Sequence, residues 1–184
     1  RSVGPIVAVA SRASEPVTLR VRLRRALSSP LPGREVQWRM APRPRTTLAP
    51  GLGPETLRPA AALLLIYPHD GAWHVPLTLR GSHLRHHTGQ VSLPGGRIDP
   101  GESVEEAALR EAHEEIGVVS SDVELLGRLT PVDIAVSGHL LHPVVGITPR
   151  RPAFRVAVGE VDRLIEVPLS LLRQPDVLRW AQWE

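Results

Sequence analysis

One helix constrains this chain more than any other feature. The segment from Gly96 to Val118 reads GRIDPGESVEEAALREAHEEIGV. Ser103 and Glu106 have the spacing of a capping box, which predicts a helix from Val104 to Ile116, and Gly117 is placed to end it. At about 100° per residue, Glu111, Glu114 and Glu115 fall within roughly a 100° arc of one face. Like charges one turn apart cost about 0.2–0.5 kcal/mol, and carboxylates in the last turn oppose the helix macrodipole. A hard divalent cation reverses the sign of both terms, because Mg²⁺ prefers oxygen ligands. Taken alone, REAHEE reads more readily as a solvated face. Its surroundings shift that balance: Gly95 and Gly96 allow a tight loop against the helix start, Glu102 lies just outside it, and Arg110 is placed to hold a carboxylate.

Around this helix the pattern alternates. Ala61–Tyr67 and Trp73–Arg80 read as strands joined by a Pro68–Gly71 turn, and Val91–Leu93 reads as a short strand that Pro94-Gly95-Gly96 breaks. Val123–Leu129, His139–Ile147 and Val161–Val167 read as further strands. A short helical piece carrying Leu171, Leu172, Trp180 and Trp183 follows. Strands on both sides of a central helix predict a mixed α/β sandwich, not a parallel doubly wound sheet. Residues 1–58 read as a helix around Thr18–Leu27 plus a Pro/Arg-rich arm from Pro30 to Pro59, either irregular chain wrapped over the domain or a mobile arm, and 59–184 as one domain. No internal repeat is present.

Composition removes several alternatives. The chain has 184 residues and no cysteine, which excludes disulfides, thiolate metal sites and Cys nucleophiles. The apolar run Ala60–Ile66 is far shorter than the roughly 20 residues a membrane helix needs, so no membrane association is expected. Arg1–Ala10 is apolar but interrupted by Pro5; no secretory signal is expected, and a cytoplasmic location is. The sequence pI near 10.7 looks like a nucleic-acid signal. It arises instead because every basic residue is Arg, so a net charge of only +3 carries the pI very high. Aromatics are 3% of residues, leaving few stacking platforms, and the run Arg20, Arg22, Arg24, Arg25 reads as a solvated helix face. No nucleic-acid partner is expected on these grounds, and no oligomeric state follows from the sequence.

Gly96, Glu102, Arg110-Glu111, Glu114-Glu115 and Gly117, with Ala112 and Val118 at aliphatic places, resemble the Nudix box. The resemblance implies an α/β/α sandwich around a mixed sheet, with Glu111, Glu114 and Glu115 as ligands of Mg²⁺ or Mn²⁺. Glu111 and Glu115, one turn apart, are the strongest pair. Just upstream, Leu77-Thr78-Leu79-Arg80, His83 through Val91, and Pro94-Gly95-Gly96 resemble the signature of the coenzyme A diphosphatases within that superfamily. Pro76, Gly81 and Leu93 depart from it, standing where Leu, Ser or Ala, and Phe are usual. Downstream, Pro131-Val132, Ser137-Gly138, Pro143 to Gly146, and Glu160 through Leu169 also look like that subfamily.

The implied substrate is a small coenzyme A-like dinucleotide, cut to 4′-phosphopantetheine and adenosine 3′,5′-bisphosphate. Arg80, Arg85, His87, Gln90, Gly95 and Gly96 are then the substrate-binding candidates, since guanidinium groups grip phosphate bidentately. Arg85 reads alternatively as an internal ion pair with a box glutamate. His83, His86 and His87 read alternatively as a polar surface loop or, less readily, a zinc site. Arg110 and Glu114 are catalytic candidates on the helix, and Glu160 on a later loop is a second candidate general base. Rival readings are a Nudix hydrolase for ADP-ribose or another nucleoside diphosphate derivative, and a Nudix-fold module that binds a nucleotide without cutting it.

Overall fold

The computed structural model of the chain describes residues 14–39, 56–81, 90–134, 137–174 and 177. Two helices come first, α1 (Ser14–Leu27) and α2 (Arg34–Arg39). Strands β1 (Arg58–His69), β2 (Ala72–Arg80), β3 (Val91–Ser92) and β4 (Gly95–Arg97) lead into α3 (Val104–Ile116). After it come β5 (Glu124–Arg128), β6 (Val132–Ile134), β7 (His139–Ile147) and β8 (Val161–Pro168).

The sheet is mixed, as expected. Its centre is β1, which runs parallel to β7 from Arg58↔His139 to Ile66↔Ile147. Along its first half β1 also pairs antiparallel with β4, and β7 carries β5 and β6 antiparallel on its other side. The far end of β1 turns back into β2, which pairs with β8 and β3. That turn is tighter than the predicted Pro68–Gly71 segment. His69 pairs with Ala72, and only Asp70 and Gly71 lie between, with φ of 47° and 75°. Positive φ at both central residues is the turn that matches strand twist, and Asp-Gly is the favoured pair for it.

Side-chain alternation along β1 divides the core into two layers. Leu63, Leu65 and Tyr67 point toward α3, where they meet Ala107, Ala108, Ala112 and Ile116. Ile66 belongs to the opposite face with Val75, Val145 and Ile147, and Leu64 packs there too. Leu19, Leu23 and Leu27 of α1, spaced one turn apart, cover that second face. Helix, sheet, helix: the α/β/α sandwich is the observed fold. Each large apolar side chain fully removed from water contributes about 1.5–3 kcal/mol.

The first helix is therefore packed against the sheet. Arg20 and Arg24 of the basic run both pair with Glu124 of β5, at 3.2 and 2.7 Å. The stretch read as irregular from Pro30 to Pro59 contains α2, whose Arg34 pairs with Asp133 at 2.9 Å and whose Gln37 amide donates to the Thr130 and Pro131 carbonyls. Six residues are too few for a helical period to stand out from Pro-rich flanks. Pro94-Gly95-Gly96 does not simply break the chain: Gly95 and Gly96 open β4, because without side chains their backbone can lie against β1. A Cβ on Gly95 would fall on the Ala61 carbonyl and within 2.6 Å of Ala62 Cα. Strand β6, at three residues, is too short for an alternating pattern to show in the sequence. Leu171–Arg173 forms a 3-10 turn with Leu171 and Leu172 exposed, while Trp180 and Trp183 lie outside the described residues. Among the described residues no helix is long and apolar enough to cross a membrane.

Candidate active site

Helix α3 is held at both ends by the devices its sequence announces. Glu106 N–H donates to the Ser103 hydroxyl at 3.2 Å, and the Glu106 carboxylate accepts from Ser103 N–H at 2.8 Å. At the other end Gly117 takes φ 72°, and its N–H returns to the His113 carbonyl at 2.9 Å. Two further last-turn carbonyls are satisfied from a distant segment: Ala157 N–H donates to Glu115 O and Arg155 N–H to Ile116 O, each at 2.9 Å.

Three alanines place α3 close against β1, and this brings two of its glutamates into the protein. Glu115 is only 8% exposed. Its carboxylate accepts the Gly95 N–H at 3.3 Å. Burial pushes its pKa up to about 7, the Gly95 amide opposes that, and the Glu111 charge adds to the rise. Arg80 lowers the Glu115 pKa and Glu160 raises it, so both act on this carboxylate. Glu111 is also pushed upward by burial, against the pull of Arg110. Gly96 faces it so closely that a Cβ there would overlap the Glu111 carboxylate. The paired glycines thus let β4 lie against both the sheet and the acidic face of the helix.

Arg110 organises the remaining charges. Its Nε and Nη2 reach Glu102 Oε1 and Oε2 at 2.8 and 3.0 Å, while Nη2 also donates to the Arg97 carbonyl at 2.9 Å. Nη1 reaches Glu111 at 2.9 Å and Glu114 at 3.2 Å. The Glu102 and Glu111 carboxylates raise the Arg110 pKa, and Arg110, helped by the Asp99 N–H, in turn keeps Glu102 below the usual carboxylate range. Arg110 can therefore hold Glu111 from one side while Gly96 leaves room on the other.

The candidates divide as follows. Glu111 and Glu115 are brought together as oxygen-bearing groups, Glu115 buried and Glu111 partly so. Glu114 is not gathered with them: it is exposed and turned to Arg110 one helical turn earlier. Arg80, at the exposed end of β2, and Glu160, just before β8, are joined to one another through the backbone, since Gly81 N–H donates to the Glu160 carbonyl at 3.0 Å. Gln90 is exposed, and its carbonyl accepts the Arg80 N–H at 3.0 Å. Gly95 and Gly96 serve here as close-packing positions. Arg85 and His87, with His83 and His86, lie outside the described residues.

Among the described residues no three His, Asp or Glu side chains close on one point to form a finished metal site. The donor chemistry nevertheless fits a hard divalent ion. Glu111 and Glu115 offer only oxygen, are desolvated, and lack enough cationic compensation to keep their pKa values normal. A Mg²⁺ ion also takes only a few protein carboxylates, the rest of its shell being water and phosphate oxygen.

One group escaped the sequence reading. Tyr67, fully buried in β1, donates its hydroxyl to Glu166 of β8 at 2.8 Å. Arg151 grips the same carboxylate with two bonds of 2.8 and 2.7 Å and lies 5.3 Å from the centre of the Phe154 ring. Tyr67 and Glu166 are 99 residues apart, so no local pattern links them, although Glu166 falls within the downstream segment that resembles the subfamily.

Comparison with known proteins bears on this geometry. The NUDIX domain family model matches residues 56–163. A curated Escherichia coli (strain SMS-3-5 / SECEC) protein, the uncharacterized Nudix hydrolase NudL, is 45% identical over 128 residues, covering 67% of this chain and 65% of its own length. NudL of Shigella boydii serotype 18 matches to the same extent. The chain thus spans about 65% of the length of these curated relatives. A crystal structure of a Caenorhabditis elegans Ap4A hydrolase binary complex has the same fold, with a TM-score of 0.52 at 18% identity, covering 60% of this chain and 80% of that one.

Proposed function

The chain belongs to the Nudix family, and from that membership we propose that it hydrolyses the diphosphate bond of a nucleotide derivative with the help of Mg²⁺ or Mn²⁺. The observation that carries this reading is the pair of buried Glu115 and partly buried Glu111, desolvated on a helix face yet left only partly compensated. Bound there, a divalent ion would supply Lewis acidity and a more acidic water. Glu111 and Glu115 would hold it, with Glu114 available from the helix edge.

The chain's own residues account for the other tasks. Arg110 fixes Glu111 and Glu102 through charge-assisted bonds. Gly95 N–H orients the Glu115 carboxylate. Glu160 is the proposed general base: it takes a proton from the attacking water, whose oxygen adds to one phosphorus as the bridging P–O bond breaks. Two phosphate monoesters leave. Arg80 is exposed on the same side and is suited to grip a phosphate.

Coenzyme A or a derivative is the proposed substrate, on the likeness of Leu77–Arg80 and Pro94–Gly96 to that subfamily. The departures weigh less once placed. Leu93 packs in the α1 layer, away from α3, and Pro76 is fully buried opposite Glu166. Gly81 has room for a Cβ, whose nearest neighbours would be the Glu160 and Gly159 carbonyls at 3.4 Å.

The experiment is product analysis on coenzyme A beside ADP-ribose with MgCl₂ or MnCl₂, and Glu115→Gln as the control. Release of adenosine 3′,5′-bisphosphate, lost in the variant, is the expected result. Cleavage of ADP-ribose alone would keep the reaction and move the substrate. Cleavage of neither would refute the enzymatic reading in favour of a binding module.

A further inference from the structure

Residues 151–160 cross from the end of β7 to the start of β8, and they are tied at three places. At the beginning, Arg151 holds Glu166 of β8 with two bonds, and Tyr67 of β1 donates to the same carboxylate. Phe154 is wedged between them: its ring meets the Tyr67 ring edge-on at 5.3 Å, and the Arg151 guanidinium lies 5.3 Å from its centre. In the middle, Arg155 and Ala157 give their N–H groups to the last carbonyls of α3, one of them the carbonyl of Glu115 itself. At the end, the Glu160 carbonyl accepts from Gly81, next to Arg80.

Between the ties the chain has little freedom. Ala157 O accepts from both Glu160 N–H at 3.3 Å and Val161 N–H at 3.2 Å, closing a turn whose Gly159 takes φ 94°. The same short segment therefore touches the backbone of Glu115, carries Glu160 and abuts the residue after Arg80. Three groups on three different elements are spaced by it.

We propose that residues 151–160 form a bracket that sets Glu160 relative to Glu115, and that Arg151 is its positioning residue, acting through Glu166, Tyr67 and Phe154. The proposal rests on the hydrolase reading above, because it gives Glu160 a proton to accept. The Arg151–Glu166 pair is partly exposed, with side chains 39% and 22% accessible. Pairs of that kind add little to global stability. Its bidentate geometry fixes direction more than it holds the fold together. Glu166 is kept below the usual carboxylate range first by Arg151 and then by the Tyr67 hydroxyl, so it is ionised at neutral pH and the clamp is closed. Displacing a reacting group by about 1 Å can cost on the order of a hundredfold in rate.

The test compares Arg151→Met and Arg151→Lys with the wild-type chain, by amide hydrogen exchange and by kinetics. In Arg151→Met, exchange at Arg155, Ala157 and Gly81 should quicken roughly tenfold while the Leu63 and Val144 amides of the sheet stay protected. On the diphosphate the wild type cleaves, kcat should fall on the order of ten- to a hundredfold with KM nearly unchanged. Arg151→Lys, which keeps one bond to Glu166, should lie between. Unchanged exchange at the three amides, or loss of protection spread evenly through the sheet, would overturn the bracket. So would quickened exchange with unchanged kcat. A wild type that turns over no diphosphate would refute the hydrolase reading and the catalytic meaning of the bracket with it; an active wild type matched by Arg151→Met would overturn the bracket alone.

Discussion

Replacing Glu115 by Gln should stabilise the metal-free protein at alkaline pH, although it removes a proposed metal ligand. Burial raises the Glu115 pKa from 4.5 to about 7. The folded state then binds this proton more tightly than the unfolded state does, so stability falls as pH climbs from the unfolded value through the folded one. The penalty is small near pH 4.5, grows to about pH 7 and is complete above it. Two and a half pKa units correspond to roughly 3 kcal/mol. Gln has nearly the same shape, stays neutral, and its carbonyl oxygen can still accept the Gly95 N–H. At pH 8 with a chelator present, the variant should unfold several degrees higher than wild type, since about 1 kcal/mol moves the midpoint of a chain this size by 2–4 °C. Near pH 4.5 the two should nearly coincide. Saturating MgCl₂ should then close most of that gap at pH 8, because a ligand held a hundredfold above its Kd adds about 2.7 kcal/mol to the protein that binds it. Thermal and urea unfolding at the two pH values, with chelator and with MgCl₂, measure all of this. A variant less stable than wild type in chelator at pH 8, or a gap that does not change with pH, would refute the idea that Glu115 is held at an electrostatic cost.

Other substitutions probe the packing around the site. Gly96→Ala should displace the Glu111 carboxylate, weaken Mg²⁺ binding in calorimetry and lower stability by about 1 kcal/mol, the low end for overpacking, since the atoms its Cβ meets are the far end of a flexible side chain. Gly81→Ala should do the opposite for stability: its Cβ has ordinary van der Waals room, and less freedom in the unfolded chain should raise stability by about 0.4–1 kcal/mol in urea titrations. Leu23→Ala in α1 should cost about 2 kcal/mol, near the low end for buried leucines because Leu23 is only partly buried; no measurable change would show that the second layer is dispensable.

The legibility of this structure varies with how local each signal is. Val104–Ile116 was readable to the residue because both of its ends are written in side chains, Ser103 with Glu106 and then Gly117. Strand β7 was equally plain, as a long apolar run. Strand β4 was hidden because its glycines carry the ordinary meaning of a break, whereas here they permit close approach to β1 and to Glu111. The acidic face was found, but the division within it was not. Helical angle places Glu114 beside Glu111 and Glu115, and only the position of Arg110 shows that Glu114 faces outward. The ties of residues 155 and 157 to α3 use backbone N–H groups, which every residue except proline carries, so nothing in the sequence marks them. The clamp of Tyr67, Arg151 and Glu166 depends on a β2–β8 register that becomes visible only once the sheet exists.

The parallel pairing of β1 with β7 also sets a timetable. Arg58 and His139 are neighbours in the sheet but roughly 80 residues apart along the chain, and such distant partnerships are slow to find. Helix α3 and the hairpin around Asp70-Gly71 need only local contacts and can form in microseconds. A ribosome adding about 5–20 residues each second would therefore expose the apolar central strand for several seconds before its partner emerges. During that interval α1 is the earliest element available to shelter one side of it. A chain that lost α1 would meet its greatest hazard while still being made, as clumping of nascent protein, before any defect in the finished protein could be measured.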